Sequence, residues 1–312
     1  MEKILFPPDL LNRPGIWALP AEHKLMLVVL ACHHSLTPCL LFTPTPYACR
    51  AIPLPADVIW GILTDLDQRG LAVVSQDTCE AYLCGSFSWH RTPAADEDTP
   101  WARQVRTALA GVRGSRVAEA IRADLDRYLG AARVPAVLLY SNLLTALPPR
   151  GAGQQWSATE MLAAFVLASN PDQTVAGVFR PGGWLDGLAN LASVPASTFA
   201  EVLASLQRRG AAAADGGTGE IFIASRLRCA KARDAKKIYE EAEQIISPLI
   251  FRIFSQECKL RKIKIPENQR VVSQVRGGEV SIRRGEVVTD PAAAERYKLR
   301  HGPWKGISHA PN

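Results

Sequence analysis

The alternation of apolar and polar positions divides the chain into short helices and hairpins, and the same order of elements appears twice. In the later copy Ser157, followed three residues on by Glu160, forms a capping box that starts a helix reaching to about Ser169. Val178-Phe179 reads as a short strand before the turn at Pro181-Gly182-Gly183, and Trp184 to Ala192 as a second short helix. Pro195 opens a third helix, where its missing N–H costs little. Phe199, Val202, Leu203 and Leu206 share one face of that helix at i, i+3, i+4, i+7 spacing, and Gly210 ends it. Ala211 to Ala214 and Glu220 to Ile223, with a glycine-rich turn between them, predict a hairpin. The earlier copy follows the same plan. It has a helix over His23 to His34, a strand at Leu41-Phe42 and a shorter helix opened by Thr45-Pro46. A third helix runs from Pro55 to Arg69, and a hairpin has Leu71 to Val74 and Glu80 to Leu83 as its arms.

The residues themselves repeat. Leu54 to Gly70 aligns without gaps to Val194 to Gly210, with Pro, Ala, Leu, Leu, Arg and Gly recurring in place. At the same offset Thr78, Glu80 and Tyr82 face Thr218, Glu220 and Phe222. Upstream, Val29-Leu30-Ala31 faces Val166-Leu167-Ala168, and Phe42-Thr43-Pro44 faces Phe179-Arg180-Pro181 at a slightly smaller offset. Helix, short strand, helix, turn, helix and hairpin is the order of a winged helix. The expected fold is therefore mainly α with small β-hairpins: two tandem winged-helix (helix-turn-helix) domains over 1–92 and 151–234. A helical linker over 93–150 lies between them. Within it, Pro100 to Gly111 and Ser115 to Gly130 read as helices, and Pro148-Pro149-Arg150-Gly151 as the boundary. A C-terminal helix over 235–258 follows, kinked at Pro248, with Tyr239, Ala242, Ile246, Ile250 and Phe254 available for packing. Docking on its own domain and docking on a second protomer both stay open for it, so an oligomer is allowed.

Charge adds a partner to this picture. The segment 259–312 holds 12 Lys and Arg against 5 Asp and Glu, whereas the net charge of the whole chain is only +6. A basic excess gathered at one end suits an acidic partner such as nucleic acid; it also suits a solvated, partly disordered tail. The third helix of the later copy offers Ser197, Thr198, Ser205, Gln207, Arg208 and Arg209, the hydroxyl, amide and guanidinium groups that read base edges. Arg226, Arg228, Lys231 and Arg233 follow its hairpin, where they could neutralise phosphates. The corresponding helix of the earlier copy carries Asp57, Asp65 and Asp67, which repel phosphate, with Gln68 and Arg69 in favour. Protein contact or scaffolding suits that copy at least as well.

Other classes find less support. The opening Met1 to Phe6, followed by Pro7-Pro8, lacks the pattern of a secretory leader. The longest apolar run, Leu25 to Cys32, is far shorter than the roughly 20 residues that span a bilayer. A cytoplasmic protein with no membrane association is expected. The seven cysteines, at 32, 39, 49, 79, 84, 229 and 258, include no CxxC pair, so reduced thiols are expected in place of disulfides or a metal site. No phosphate-binding GxxxxGK, HExxH, GxSxG or dinucleotide-binding glycine motif is present, so neither an enzyme nor a cofactor is expected. Cys32 beside His33-His34 could be drawn as a nucleophile and base, but a structural role at a helix end fits better.

Two winged helices in tandem followed by a basic segment resemble the replication initiators and replisome organisers of plasmids and phages. The resemblance covers Trp17 to His90 and Trp156 to Lys231, and rests on element order and the LxxLxxRG ending of each third helix (Leu63 to Gly70 and Leu203 to Gly210). It implies binding of double-stranded origin DNA through the later copy and recruitment of host replication proteins through the earlier one. A transcription regulator of the same fold, or an interaction module that mimics or blocks a nucleic-acid machine, would carry the same pattern.

Overall fold

In the computed structural model the described residues are 3–7, 9–34, 54–89, 98–129, 136–140, 143–147, 156–170, 173–180, 184–192 and 194–265. The fold is mainly helical with small antiparallel sheets.

Two helices form its centre, α1 (Ala21–His34) in the first half and, in the second, Ala158–Ala168. The latter starts at a complete capping box. The Glu160 N–H donates to Ser157 Oγ at 3.1 Å, and the Ser157 N–H donates to Glu160 Oε2 at 2.9 Å. Both helices are apolar on nearly every side: Leu25 to Ala31, and every residue from Met161 to Ala168, are buried. A helix apolar all round must be covered all round. These two achieve that by packing against each other, so a single apolar core runs through both halves.

Each half adds a helix and a hairpin to its central helix. In the first half these are α2 (Ala56–Gln68), β2 (Ala72–Ser75) and β3 (Glu80–Leu83). After α3 (Pro100–Ala110) and α4 (Ser115–Tyr128) come β4 (Val137–Tyr140) and the short α5 (Leu143–Ala146). The helix over Ala158–Ala168 is then α6, followed by β5 (Val178–Phe179), α7 (Trp184–Leu191), α8 (Ala196–Arg208), β6 (Ala212–Asp215) and β7 (Glu220–Ile223). The strands at 178–179, 212–215 and 220–223 make one sheet of order β5-β7-β6.

The two halves use the same backbone bonds. After α2 the Leu71 N–H donates to Leu66 O at 2.9 Å and Cys84 to Leu71 O at 3.1 Å. After α8, Ala211 donates to Leu206 O at 2.9 Å and Ala224 to Ala211 O at 2.9 Å. Gly70 (φ +69°) and Gly210 (φ +66°) turn the chain from helix into strand, in the left-handed region that disfavours a side chain. The registers match as well: Ala72 faces Leu83 as Ala212 faces Ile223. The strand read at Leu41-Phe42, the helix opened by Thr45-Pro46, Cys39 and Cys49 all lie outside the described residues.

Each hairpin is covered on its outer face. The helices α3 and α4, read from the sequence as a linker, lie against the first hairpin, where Val105, Val117 and Ile121 enclose Tyr82 and Phe87. Beyond the short α9 (Ala224–Cys229), the second sheet is covered by α10 (Ala235–Ala242) and α11 (Pro248–Leu260), with Ile238, Ile250 and Phe254 around Phe222. Phe222 and Phe254 meet edge to face at 6.0 Å. The sequence predicted one kinked helix here, and the structure has two. The Ile250 N–H donates to Ser247 Oγ at 3.1 Å, and Pro248 takes the first helical position, so Ser247 starts a new helix where a kink was expected. Tyr239, read as a packing residue, is 43% exposed; its neighbour Ile238 is the buried one.

The halves are also joined at a pairing the sequence reading did not include. Strand β1 (Lys3–Phe6) runs antiparallel to β4. Phe6 then reaches α6, its ring 5.0 Å from that of Phe165.

Candidate nucleic-acid interface

Helix α8 is anchored on one side and open on the other. Phe199, Leu203 and Leu206 are buried beneath it, whereas Ser197, Ala200, Glu201, Ala204, Gln207 and Arg208 are exposed. Thr198 is half-buried at the edge of that face. Two residues expected to read bases turn inward instead. Ser205 Oγ donates to Glu160 Oε1 at 2.7 Å, and Arg209 Nε lies 3.2 Å from the same oxygen. The Arg209 guanidinium also stacks 5.8 Å from the centre of the Trp156 ring. Burial alone would raise the Glu160 pKa. The hydrogen bonds from Ser205 and Ser157 and the Arg209 charge outweigh it and hold the carboxyl below its usual value. Ser205 and Arg209 thus fix the end of α8 to the start of α6, which leaves Ser197, Glu201, Gln207 and Arg208 as its outward polar groups, with Thr198 beside them.

In the first half the outward residues of α2 are Ala56, Asp57, Val58, Gly61 and Gln68, with Arg69 just beyond its end. Two of the three acids read as repelling phosphate are already paired. Asp65 meets His23 Nε2 and Arg69 Nε, each at 2.9 Å, and Arg69 above all holds its pKa below the usual range. Asp67 accepts both Nη atoms of Arg116, one at 2.7 Å. Asp57 remains exposed.

The hairpin tips contain no lysine or arginine; they read Gln76-Asp77-Thr78-Cys79 and Gly216-Gly217-Thr218-Gly219. Of the cations expected behind the second hairpin, Arg228 is held within the chain. Its Nε lies 3.3 Å from Glu257 Oε1, and its Nη atoms donate to the carbonyls of Ala146, Leu147 and Gly210. Arg226 and Lys231 are half-buried, and Arg233 is exposed. Around Lys231 opens a groove of about 880 Å³ that sequence reasoning did not identify, lined by Lys231, Lys236, Tyr239, Arg261, Lys262 and Lys264 together with Glu240 and Glu243. Its only sequence signal was the run of cations from Lys259 to Lys264.

The thiols of Cys32, Cys229 and Cys258 are buried, which raises their pKa values, those of the last two to about 11 and about 12. Among the described residues no three His, Cys, Asp or Glu side chains gather as metal ligands, and no helix is long and apolar enough to cross a membrane. The side chains of His33 and His34, drawn with Cys32 as a nucleophile and base, lie outside the described residues. Comparison with protein-family models, curated proteins and solved structures finds no match.

Proposed function

We propose that each half is a winged helix and that the protein binds double-stranded DNA by laying α8 in the major groove. The observation that carries this reading is the division of α8 into a buried apolar side and an outward side of small residues with Ser197, Glu201, Gln207 and Arg208. Small side chains let a helix approach base edges closely, and amide and guanidinium groups pair with adenine and guanine there. The hairpins lack cations, so phosphate neutralisation falls to Arg233, the basic groove beside α10 and the Lys259 to Lys264 run. The role that best joins these parts is initiation of replication on a plasmid, phage or other mobile element, as the resemblance of the tandem arrangement implies.

The test is a titration of the full chain against duplex DNA drawn from its own genetic neighbourhood, at several salt concentrations. Binding should weaken steeply with salt, and the Arg208→Ala and Gln207→Ala variants should lose discrimination between that DNA and random duplex. Binding that ignores both salt and these two substitutions would overturn the reading.

A further inference from the structure

The two halves meet through their own equivalent parts. Strand β1 carries Ile4-Leu5-Phe6 and β4 carries Leu138-Leu139-Tyr140, at a separation of 134 residues. Each strand precedes a leucine pair, Leu10-Leu11 or Leu143-Leu144, buried in a short helical turn, and then the central helix of its half. At that separation Ile4 corresponds to Leu138 and Leu5 to Leu139. In the ladder, Ile4 pairs with Leu139 and Leu5 with Leu138. Each residue therefore faces the equivalent of its neighbour, and the relation is reciprocal. Reciprocity of this kind marks a two-fold contact; a head-to-tail contact joins unlike surfaces. The central helix α1 likewise packs on its own equivalent, α6.

The equivalence continues to the covering helices. Glu80 and Glu220 hold matching places in β3 and β7, and each carboxylate accepts the backbone N–H groups that precede a helix. For Glu80 the donors are Arg113 and Gly114, before α4; for Glu220 they are Ile246 and Ser247, before α11. Val117 and Ile121 then cover the first hairpin as Ile250 and Phe254 cover the second.

We infer that the chain is a dimer fused into one polypeptide, with a two-fold axis between Ile4-Leu5 and Leu138-Leu139, and that its target is duplex DNA with two unlike half-sites in inverted orientation, read by α2 and α8. This rests on the DNA-binding reading above. A two-fold axis presents α2 and α8 to the duplex in opposite senses, as in dimers that bind palindromes. A dimer of identical chains must read identical halves. A fused one is free to differ, and the residues on the outward side of α8 do differ from their equivalents: Asp57 against Ser197, Val58 against Thr198, Gly61 against Glu201, Thr64 against Ala204, Asp67 against Gln207 and Gln68 against Arg208.

The test selects binding sites from random duplexes, once with the full wild-type chain and once with a grafted chain carrying Asp57→Ser, Val58→Thr, Gly61→Glu, Thr64→Ala, Asp67→Gln and Gln68→Arg. Gly61 has open space around it, so the added glutamate fits. Wild type should enrich two different blocks centred about 10 base pairs apart, or a multiple of that. The grafted chain should enrich one of those blocks twice, inverted, and prefer that palindrome to the wild-type site by about tenfold or more per changed base pair. The converse graft on α8 (Ser197→Asp, Thr198→Val, Glu201→Gly, Ala204→Thr, Gln207→Asp, Arg208→Gln) should produce a palindrome of the other block, which guards against a folding defect in either variant. A direct repeat after grafting, or a single block that neither graft alters, overturns the two-fold inference and leaves DNA binding intact. Failure of the wild-type chain to enrich any sequence overturns the DNA reading and this inference with it.

Discussion

One corner of the fold is built twice with opposite chemistry. In the first half the start of α1 supplies His23, and the end of α2 supplies Asp65 and Arg69. In the second half the start of α6 supplies the acid, Glu160, and the end of α8 supplies Ser205 and Arg209. Both sets tie the beginning of a central helix to the end of the helix that precedes the hairpin, and the arginine keeps its place. The geometry of the tie is common to both halves while the identity of donor and acceptor is not. What differs is solvent: the Asp65 side chain is 35% exposed and that of Glu160 is 11% exposed. The second corner therefore depends more on its partners, because a buried charge without a counter-charge is costly.

Glu80 and Glu220 are the most demanding pair on which to test that difference, since both carboxylates are 1% exposed. Glu220 additionally bonds Arg180 Nη2 at 2.6 Å, a guanidinium only 34% exposed, whereas the Arg113 side chain beside Glu80 is 69% exposed. Glu220→Ala should cost about 3–5 kcal/mol, because it strands both a shielded cation and two backbone donors. Glu80→Ala should cost about 2–3 kcal/mol, chiefly for the two donors. Urea unfolding of the two variants measures the gap; equal costs would mean that the Arg180 pair adds nothing.

Arg208 and Arg209 sharpen the comparison within one helix. Arg209→Ala should lower stability by about 1–2 kcal/mol through loss of Glu160 and the Trp156 ring. Arg208→Ala should leave stability within about 0.5 kcal/mol and weaken DNA binding by about 1–3 kcal/mol. Unfolding and titration run on the same two proteins separate these effects. A stability loss in Arg208→Ala matching that of Arg209→Ala would place both residues in the scaffold.

The central helices also differ where Lys24 of α1 stands in the place of Met161 in α6. Lys24 is fully buried, its Nζ donating to Asn190 O at 3.1 Å, and burial draws its pKa down to about 8 from 10.5. Between those values the unfolded chain binds the proton and the folded chain does not, so stability should rise with pH across that window. Lys24→Met, which copies the second half, should be neutral or stabilising by about 1 kcal/mol at neutral pH and should abolish the alkaline rise. Unfolding midpoints measured above and below pH 8 decide this, and a rise that survives the substitution must come from another group.

The local elements were legible in the sequence because their signals are local. A capping box, prolines before helices, glycines after them and 3.6-residue spacing define α6, α2 and α8 within a residue or two. The β1–β4 ladder was not legible. Two four-residue apolar runs so far apart contain nothing that names each other as partners. Nor was the equivalence of the covering helices, in which Val117 and Ile121 correspond to Ile250 and Phe254; apolar character is kept there and identity is lost. The candidate site was legible only in part. Spacing along α8 fixes the direction in which Ser205, Arg208 and Arg209 leave the helix, but not that Glu160, 45 residues earlier, waits for two of them. Arg228 is a similar case, its partner Glu257 lying on a helix that the sequence suggested would continue from the one before.

The smallest expected effect tests the corner with which the comparison began. Both Glu160 and Asp65 are held below their ordinary carboxyl values in the folded protein. A carboxylate whose folded pKa lies below its unfolded one contributes stability above the unfolded value, and that contribution is lost as pH falls through the folded one. Stability should therefore decline below about pH 4.5, the ordinary glutamate range. Glu160→Gln should flatten that decline, because its hydrogen bonds from Ser205 and Ser157 are shielded from water. Asp65→Asn should change it little, since an exposed pair with Arg69 is screened by solvent and salt. Unfolding midpoints between about pH 3 and pH 7, taken at low and at high salt, measure both slopes. If Asp65→Asn flattens the acid limb as much as Glu160→Gln, then exposure to solvent is not what separates the two corners, and their shared geometry alone accounts for their strength.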